Sequence, residues 1–141
     1  MKLLEGKTAL ITGVSRGIGQ YIARTLSDEG ASIIGISRNE ENLKVIEKQI
    51  IEDGGNALMF PFDLNKSHRL KQLLQKLNDN NVDEVDILVN NAGIEKYSTY
   101  VDNNYDSIHS IINVNLLAPM ELTRMILPKM LEKGSGNIVN I

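Results

Sequence analysis

Five short apolar runs punctuate the chain, at 8–12 (TALIT), 32–36 (SIIGI), 57–60 (ALMF), 86–89 (DILV) and 137–141 (NIVNI). Only the last alternates polar and apolar residues. The other four lack that alternation, as strands buried on both faces do. Helical patterns fill the intervals. Ile18, Ile22 and Leu26 recur every four residues, Leu43, Ile46 and Ile50 at three and four, and Leu70, Leu73, Leu74 and Leu77 complete an i, i+3, i+4, i+7 stripe. Each stripe predicts a helix with that face turned to a core. A longer helical region is predicted from about Tyr105 to Lys133. Gly30, Gly54-Gly55 and Gly134 follow helical stretches and fit C-terminal stops.

Strands alternating with helices over short links predict an α/β fold, a Rossmann-type doubly wound parallel sheet with helices on both faces. Pro61 closes the third run, and strand prolines prefer sheet edges. A strand order of 3-2-1-4-5 puts that strand at an edge. No internal repeat, low-complexity tract or linker divides the 141 residues, which read as one domain. A flavodoxin-like domain without a dinucleotide shares this pattern, so the decision falls to the turns.

After the first strand comes Thr12-Gly13-Val14-Ser15-Arg16-Gly17-Ile18-Gly19, leading into a helix. Gly13 can take the positive φ of a sharp turn. Gly17, without a Cβ, lets a pyrophosphate approach the backbone, and Gly19 lets the helix pack close to the strand. Free N–H groups at the helix start, with the helix dipole, favour an anion. The position of these glycines between a buried strand and an amphipathic helix predicts dinucleotide binding. A tight turn without a ligand is the alternative.

This turn, together with Asn90-Asn91-Ala92-Gly93 after the fourth strand, resembles the short-chain dehydrogenase/reductase family over the whole chain from Gly6-Lys7 onward. Within the family the look is closest to bacterial 3-oxoacyl-carrier-protein reductases. The resemblance implies an oxidoreductase that moves a hydride between a nicotinamide and a small carbonyl or alcohol substrate. It implies Ser15 and Ile18 as further cofactor contacts in the glycine turn. It also implies that Asn90, Ala92 and Gly93 line the cofactor, with Asn90 bracing neighbouring strands, and that Asp63 and the amide of Leu64 meet the adenine. Asp63 also reads as a turn residue leading into an Asn65 helix cap.

The end of the second strand carries the cofactor choice in such folds. An acid there binds the ribose 2′-OH of NAD, and a base accepts the 2′-phosphate of NADP. Here the residues are Ser37 and Arg38, with Arg16 able to reach the same phosphate from the glycine turn. NADP(H) is therefore preferred and NAD(H) possible. The alternative is two solvated surface arginines. Glu40, the nearest acid, falls at the start of the next helix, where a negative charge is favourable.

Asn115 matches the family's helical Asn, which helps hold a proton-relaying water. Pro119, four residues on, has no N–H to give the Asn115 carbonyl, so a kink with a free carbonyl is predicted. A solvent-facing Asn beside an incidental kink is the alternative. Asn113 takes no role. The family's catalytic Ser, Tyr and Lys are not placed, since no Tyr here has a Lys four residues later. The Ser would follow the fifth strand, in which the sequence ends. The expectation is a cofactor-binding part of a protein of roughly 250 residues, inactive by itself. A nucleotide-binding protein without turnover is the competing account. A fifth strand left as an open apolar edge is a predicted aggregation site.

Composition narrows the partners. The net charge of −3 argues against nucleic acid, which wants a basic footprint. No apolar run approaches the roughly 20 residues that span a bilayer. The N-terminus has no secretory apolar region. With no Cys, thiolate chemistry and disulfides are excluded. A cytoplasmic protein is expected, its full-length form a homo-oligomer by the resemblance. His68 and His109, far apart, are read as surface residues and no metal is proposed. Met120, Met125 and Met130 are read as packing, and the Tyr97–Tyr105 stretch as a loop or short helix, with the border of a substrate cleft as the alternative.

Overall fold

The computed structural model describes residues 2–141. Five parallel strands form one sheet in the order β3-β2-β1-β4-β5, as the sequence predicts. They are β1 (Thr8–Thr12), β2 (Ser32–Ser37), β3 (Asn56–Pro61), β4 (Ile87–Asn90) and β5 (Asn137–Asn140). Helices α1 (Gly17–Asp28) and α2 (Glu40–Glu52) cover one face with Ala23, Leu43, Ile46 and Ile50, against Ala9, Ile11 and Ile33. On the other face α3 (Leu70–Asp79) and α5 (Ala118–Lys133) bring Leu73, Leu77, Leu122 and Ile126 against Leu10, Ile34 and Leu88. Alternate strand residues serve opposite faces, so the continuous apolar runs of β1, β2 and β4 feed two cores at once.

Several expectations change. In α1 the buried residues are Gly19, Ala23 and Ser27, while Ile18 is 64% exposed and Ile22 and Leu26 flank the core. The helix lies so close to the sheet that only small side chains fit its centre line. In β3 the apolar run is only half buried, with Leu58 exposed, because an edge strand has less to pack against. Its outer side is nevertheless occupied, since the Glu47 carboxylate of α2 accepts the Met59 N–H at 3.0 Å. Finally, Asp63, not Asn65, caps the 3₁₀ turn at Leu64–Arg69, its carboxylate accepting the Asn65 N–H at 3.0 Å.

The stops hold as read. Gly30, Gly54 and Gly134 all have positive φ where helices end. Asn39 caps α2 through the Asn42 N–H, and Glu40 in its first turn pairs with Lys44. Of the three methionines, Met130 is buried and Met125 half-buried, but Met120 is exposed and packs nothing inward. Both histidines lie at the surface, His109 against the Tyr105 ring. The Tyr97–Tyr105 stretch is a loop with one short 3₁₀ turn, Tyr100–Asp102. Among the described residues, no helix is long and apolar enough to cross a membrane.

At the sheet's amino end one buried carboxylate joins three elements. Asp86, before β4, accepts the Thr8 N–H at 2.9 Å, the Lys133 ammonium of α5 at 2.8 Å and the Lys7 ammonium at 3.3 Å. Burial pushes its carboxyl up, but Lys133, the Thr8 N–H and Lys7 together pull it further the other way, leaving it below its ordinary value. A depressed folded value stabilises the fold above the unfolded aspartate pKa of about 3.9, and that share is lost as pH falls from there through the folded value. Asp86→Asn is therefore expected to cost about 1–2 kcal/mol of stability at neutral pH, read as a lower urea midpoint. It should also flatten the acid limb of the stability curve. Urea titrations of both proteins from neutral to acidic pH check this, and parallel acid limbs would show that Asp86 is not the group responsible.

Candidate functional site

The carboxyl ends of β1, β2 and β4 open into a cleft of about 830 Å³. Its floor is the glycine-rich turn. Gly13 has φ +70°, and a Cβ there would lie 2.8 Å from the Ala92 Cα, so the first turn and the loop after β4 meet backbone to backbone. Gly17 has φ +57° with open space where a Cβ would sit, which leaves that side of the turn free for a ligand. Gly19 is different. It stands behind the cleft, where a Cβ would be 2.3 Å from the Gly13 carbonyl oxygen. This is the close helix packing expected of it.

The start of α1 is suited to an anion. Arg16 occupies the N-cap position with no side-chain capping bond, and the first turn holds no acid. The N–H groups at Gly17, Ile18 and Gly19 and the positive end of a twelve-residue helix are therefore uncompensated by the protein's own carboxylates. Across the cleft, the end of β2 is tied to the turn by Gly13 N–H to the Ile36 carbonyl at 2.8 Å and by Ser37 Oγ to Ser15 Oγ at 2.7 Å. Arg16 and Arg38 both line the cleft and are exposed, and Asp63 and Leu64 form its far wall.

Thr12 joins the two motifs. Its Oγ1 accepts the N–H groups of Asn91 and Ala92, each at 3.0 Å, and donates to the Val89 carbonyl at 3.4 Å. The Asn91 amide donates back to the carbonyls of Thr12 at 3.0 Å and Gly13 at 3.3 Å. Sequence reasoning passed over both residues, although both stand inside the quoted motifs. A Thr closing a buried strand opposite a polar turn was the available signal. Asn39, Asn42, Phe62, Ile94 and Val114 also line the cleft and carried no motif.

Residues 7–141 match the family model described as short chain dehydrogenase. The chain belongs to that family. Over its full length it is 47% identical to the ketoacyl reductase HetN of a Nostoc species, covering 49% of that protein. It is 36% identical to the 3-oxoacyl-[acyl-carrier-protein] reductase FabG of Vibrio harveyi, over 98% of this chain and 55% of that one. A metagenomic short-chain oxidoreductase solved in complex with NADP superposes with a TM-score of 0.90 at 34% identity, over 97% of this chain and 62% of that one. A 3-oxoacyl (acyl-carrier-protein) reductase of Agrobacterium tumefaciens with NADP bound gives 0.87 at 31% identity, over 97% and 52%. The chain spans about half the length of the curated relatives it matches.

Within this dehydrogenase fold the remaining candidates separate. Asn90 is buried behind the cleft and its amide donates to Asn140 at 2.9 Å and Thr123 at 3.4 Å, so its side chain braces β4 against β5 and α5. Ala92 and Gly93 line the cleft itself. Asn115 lies on a π turn, Asn113–Leu117, that joins α4 (Tyr105–Ile112) to α5. The predicted break before Pro119 thus takes the form of a widened turn, with Ala118 N–H reaching the Asn113 carbonyl. The Asn115 side chain accepts the Ile94 N–H at 2.8 Å and donates to the Ile94 carbonyl at 2.9 Å, clamping the loop after β4. Asn113, for which no role was read, donates to Asn65 at 3.1 Å and holds the wall beyond Asp63.

Proposed function

We propose that the chain binds NADP(H) in this cleft as the cofactor-binding part of an oxidoreductase acting on a small carbonyl or alcohol substrate. One observation carries the reading. A glycine turn with uncompensated helix N–H groups and Arg16 shares a cleft with Arg38 at the end of β2, where, among the described residues lining the cleft, no carboxylate stands to take a ribose 2′-OH. The open side of Gly17 fits a pyrophosphate at the α1 N-terminus. Arg38, Arg16 and Ser37 meet the 2′-phosphate, Asp63 and the Leu64 amide meet the adenine, and Ala92 and Gly93 leave room for the remaining ribose. The bound nicotinamide supplies the hydride acceptor or donor. Asn115, holding the Ile94 backbone, fixes the loop on that side, and its own carbonyl opposite Pro119 is the candidate holder of a relay water. Relatives bearing ketoacyl reductase and 3-oxoacyl-carrier-protein reductase names support a carbonyl substrate class. A cytoplasmic setting and a homo-oligomeric full-length form belong to the same reading.

A second reading, cofactor binding without turnover, is favoured for these 141 residues by one fact. Tyr21, Tyr97, Tyr100 and Tyr105 are followed four residues later by Thr25, Val101, Asn104 and His109, never by Lys. The experiment is a fluorescence titration with NADPH and NADH, followed by an assay of carbonyl-dependent NADPH oxidation on the protein as its own cells make it. Saturable binding with NADPH preferred by tenfold or more is the expected result. Turnover then favours the reductase, and its absence with binding intact favours the second reading. No binding of either nucleotide by folded protein refutes both.

A further inference from the structure

A second, smaller cleft of about 160 Å³ lies on the other side of the Phe62-Asp63 wall, between the end of β3 and α3. Its rim carries three cations, Lys66, Arg69 and Lys76, with Gln72 beside them and Leu73 buried beneath. Gln72, Leu73 and Lys76 lie on one face of α3, and Arg69, the residue that precedes the helix, lines the same cleft. Among the described residues, none of the three cations forms an ion pair. Arg69 donates through Nε to Gln72 at 2.9 Å, which steadies the guanidinium and leaves its terminal nitrogens for another acceptor.

The charge is local and against the trend of the molecule. Residues 64–79 hold Lys66, His68, Arg69, Lys71 and Lys76 against one acid, Asp79, in a chain whose net charge is −3. Like charges gathered at one cleft repel each other, and an anion between them relieves that cost. The one acid on the cleft rim, Asp63, already accepts the Asn65 N–H and is outnumbered three to one. The cavity is smaller than the roughly 300 Å³ at which pockets for drug-sized ligands begin, so it suits a single compact anion with little attached.

We propose that the cleft formed by Lys66, Arg69 and Lys76 behind the Phe62-Asp63 wall is an accessory site for one phosphate group, free or borne by a small phosphorylated compound. A guanidinium held by Gln72 and two ammonium groups supply charge-assisted donors to tetrahedral oxygens. The site is separate from the larger cleft but shares Phe62 and Asp63 with it. Its occupancy is therefore felt at the wall assigned to the adenine.

The test is an NMR titration of the ¹⁵N-labelled chain with inorganic phosphate and with ribose 5-phosphate, at ionic strength held constant by sodium chloride. The expected result is a saturable shift of the amides of Lys66, Arg69, Gln72 and Lys76 with either probe. Arg69→Ala is expected to weaken it about tenfold, in line with the loss of one charge-assisted bond. Lys66→Ala and Lys76→Ala should each weaken it as well, and Arg38→Ala should leave it unchanged. Equal affinities would mean that the cleft reads phosphate alone, and a tighter ester that it also touches the attached sugar. Shifts that never saturate, that chloride reproduces, or that saturate only around Ser15, Arg16 and Arg38 overturn the proposal. The two clefts report through different amides, so failure here is distinguishable from failure of nucleotide binding.

Discussion

Arg38→Asp is expected to lower NADPH affinity by about two orders of magnitude and to leave NADH binding within a few-fold of its original value. The guanidinium lines the cleft at the end of β2 without an ion pair among the described residues, so nothing in the protein competes for it. A charge-assisted hydrogen bond contributes about 1.5–3 kcal/mol. Replacing it by a carboxylate also sets two negative groups together, and about 3 kcal/mol corresponds to a factor of roughly a hundred. For NADH the carboxylate gains the 2′-OH as a donor, which offsets the disturbance. Arg38→Ala separates the two contributions, because it removes the attraction without adding repulsion. Parallel fluorescence titrations measure the ratio. If the ratio stays fixed in both variants, Arg38 is a solvated surface group and the 2′-phosphate is read elsewhere, with Arg16 the next residue to test.

Gly19→Ala is expected to damage both the fold and the cleft. The added methyl would lie 2.3 Å from the Gly13 carbonyl oxygen and 2.4 Å from the Asn91 amide nitrogen, far inside contact distance. The Gly13 oxygen is backbone in the most constrained part of the turn, and the Asn91 amide is already bound to the carbonyls of Thr12 and Gly13. Neither yields cheaply, and overpacking of this kind costs about 1–3 kcal/mol. The relief available is to push α1 away from β1, which would move the helix N–H groups off the pyrophosphate position. Urea unfolding should show the stability loss, and NADPH titration of the surviving folded protein should show a weakened site. A variant with the original stability and affinity would mean that α1 shifts freely, and that the close approach at Gly19 does not set the geometry of the turn.

The strand order was legible because it rests on the alternation of runs and on a single proline, and neither depends on side-chain detail. The glycine turn was legible because its residues are chosen for what they lack. Helix α1 was misread for a related reason. Apolar periodicity points to the largest side chains, Ile18, Ile22 and Leu26, whereas a helix pressed against a sheet is centred on its smallest, Gly19, Ala23 and Ser27. Thr12, Asn91 and Asn113 act through hydrogen bonds to partners distant in sequence, from 48 to 80 residues away, and such pairings leave no period to read. The basic cleft beside α3 leaves no motif either, because Lys66, Arg69 and Lys76 form a cleft only with Phe62 and Asp63 after β3 once the chain is folded. Asp63 was seen as a turn residue or an adenine contact, and it caps its turn while lining the cleft.

The two margins of the sheet are unlike. Along β3, a carboxylate from α2 already holds the Met59 N–H, and Pro61 has no N–H to offer an incoming backbone. Along β5, Val139 and Ile141 stand exposed. A further backbone laid along β3 would therefore find no free N–H at either position, and that margin is a poor template for another strand.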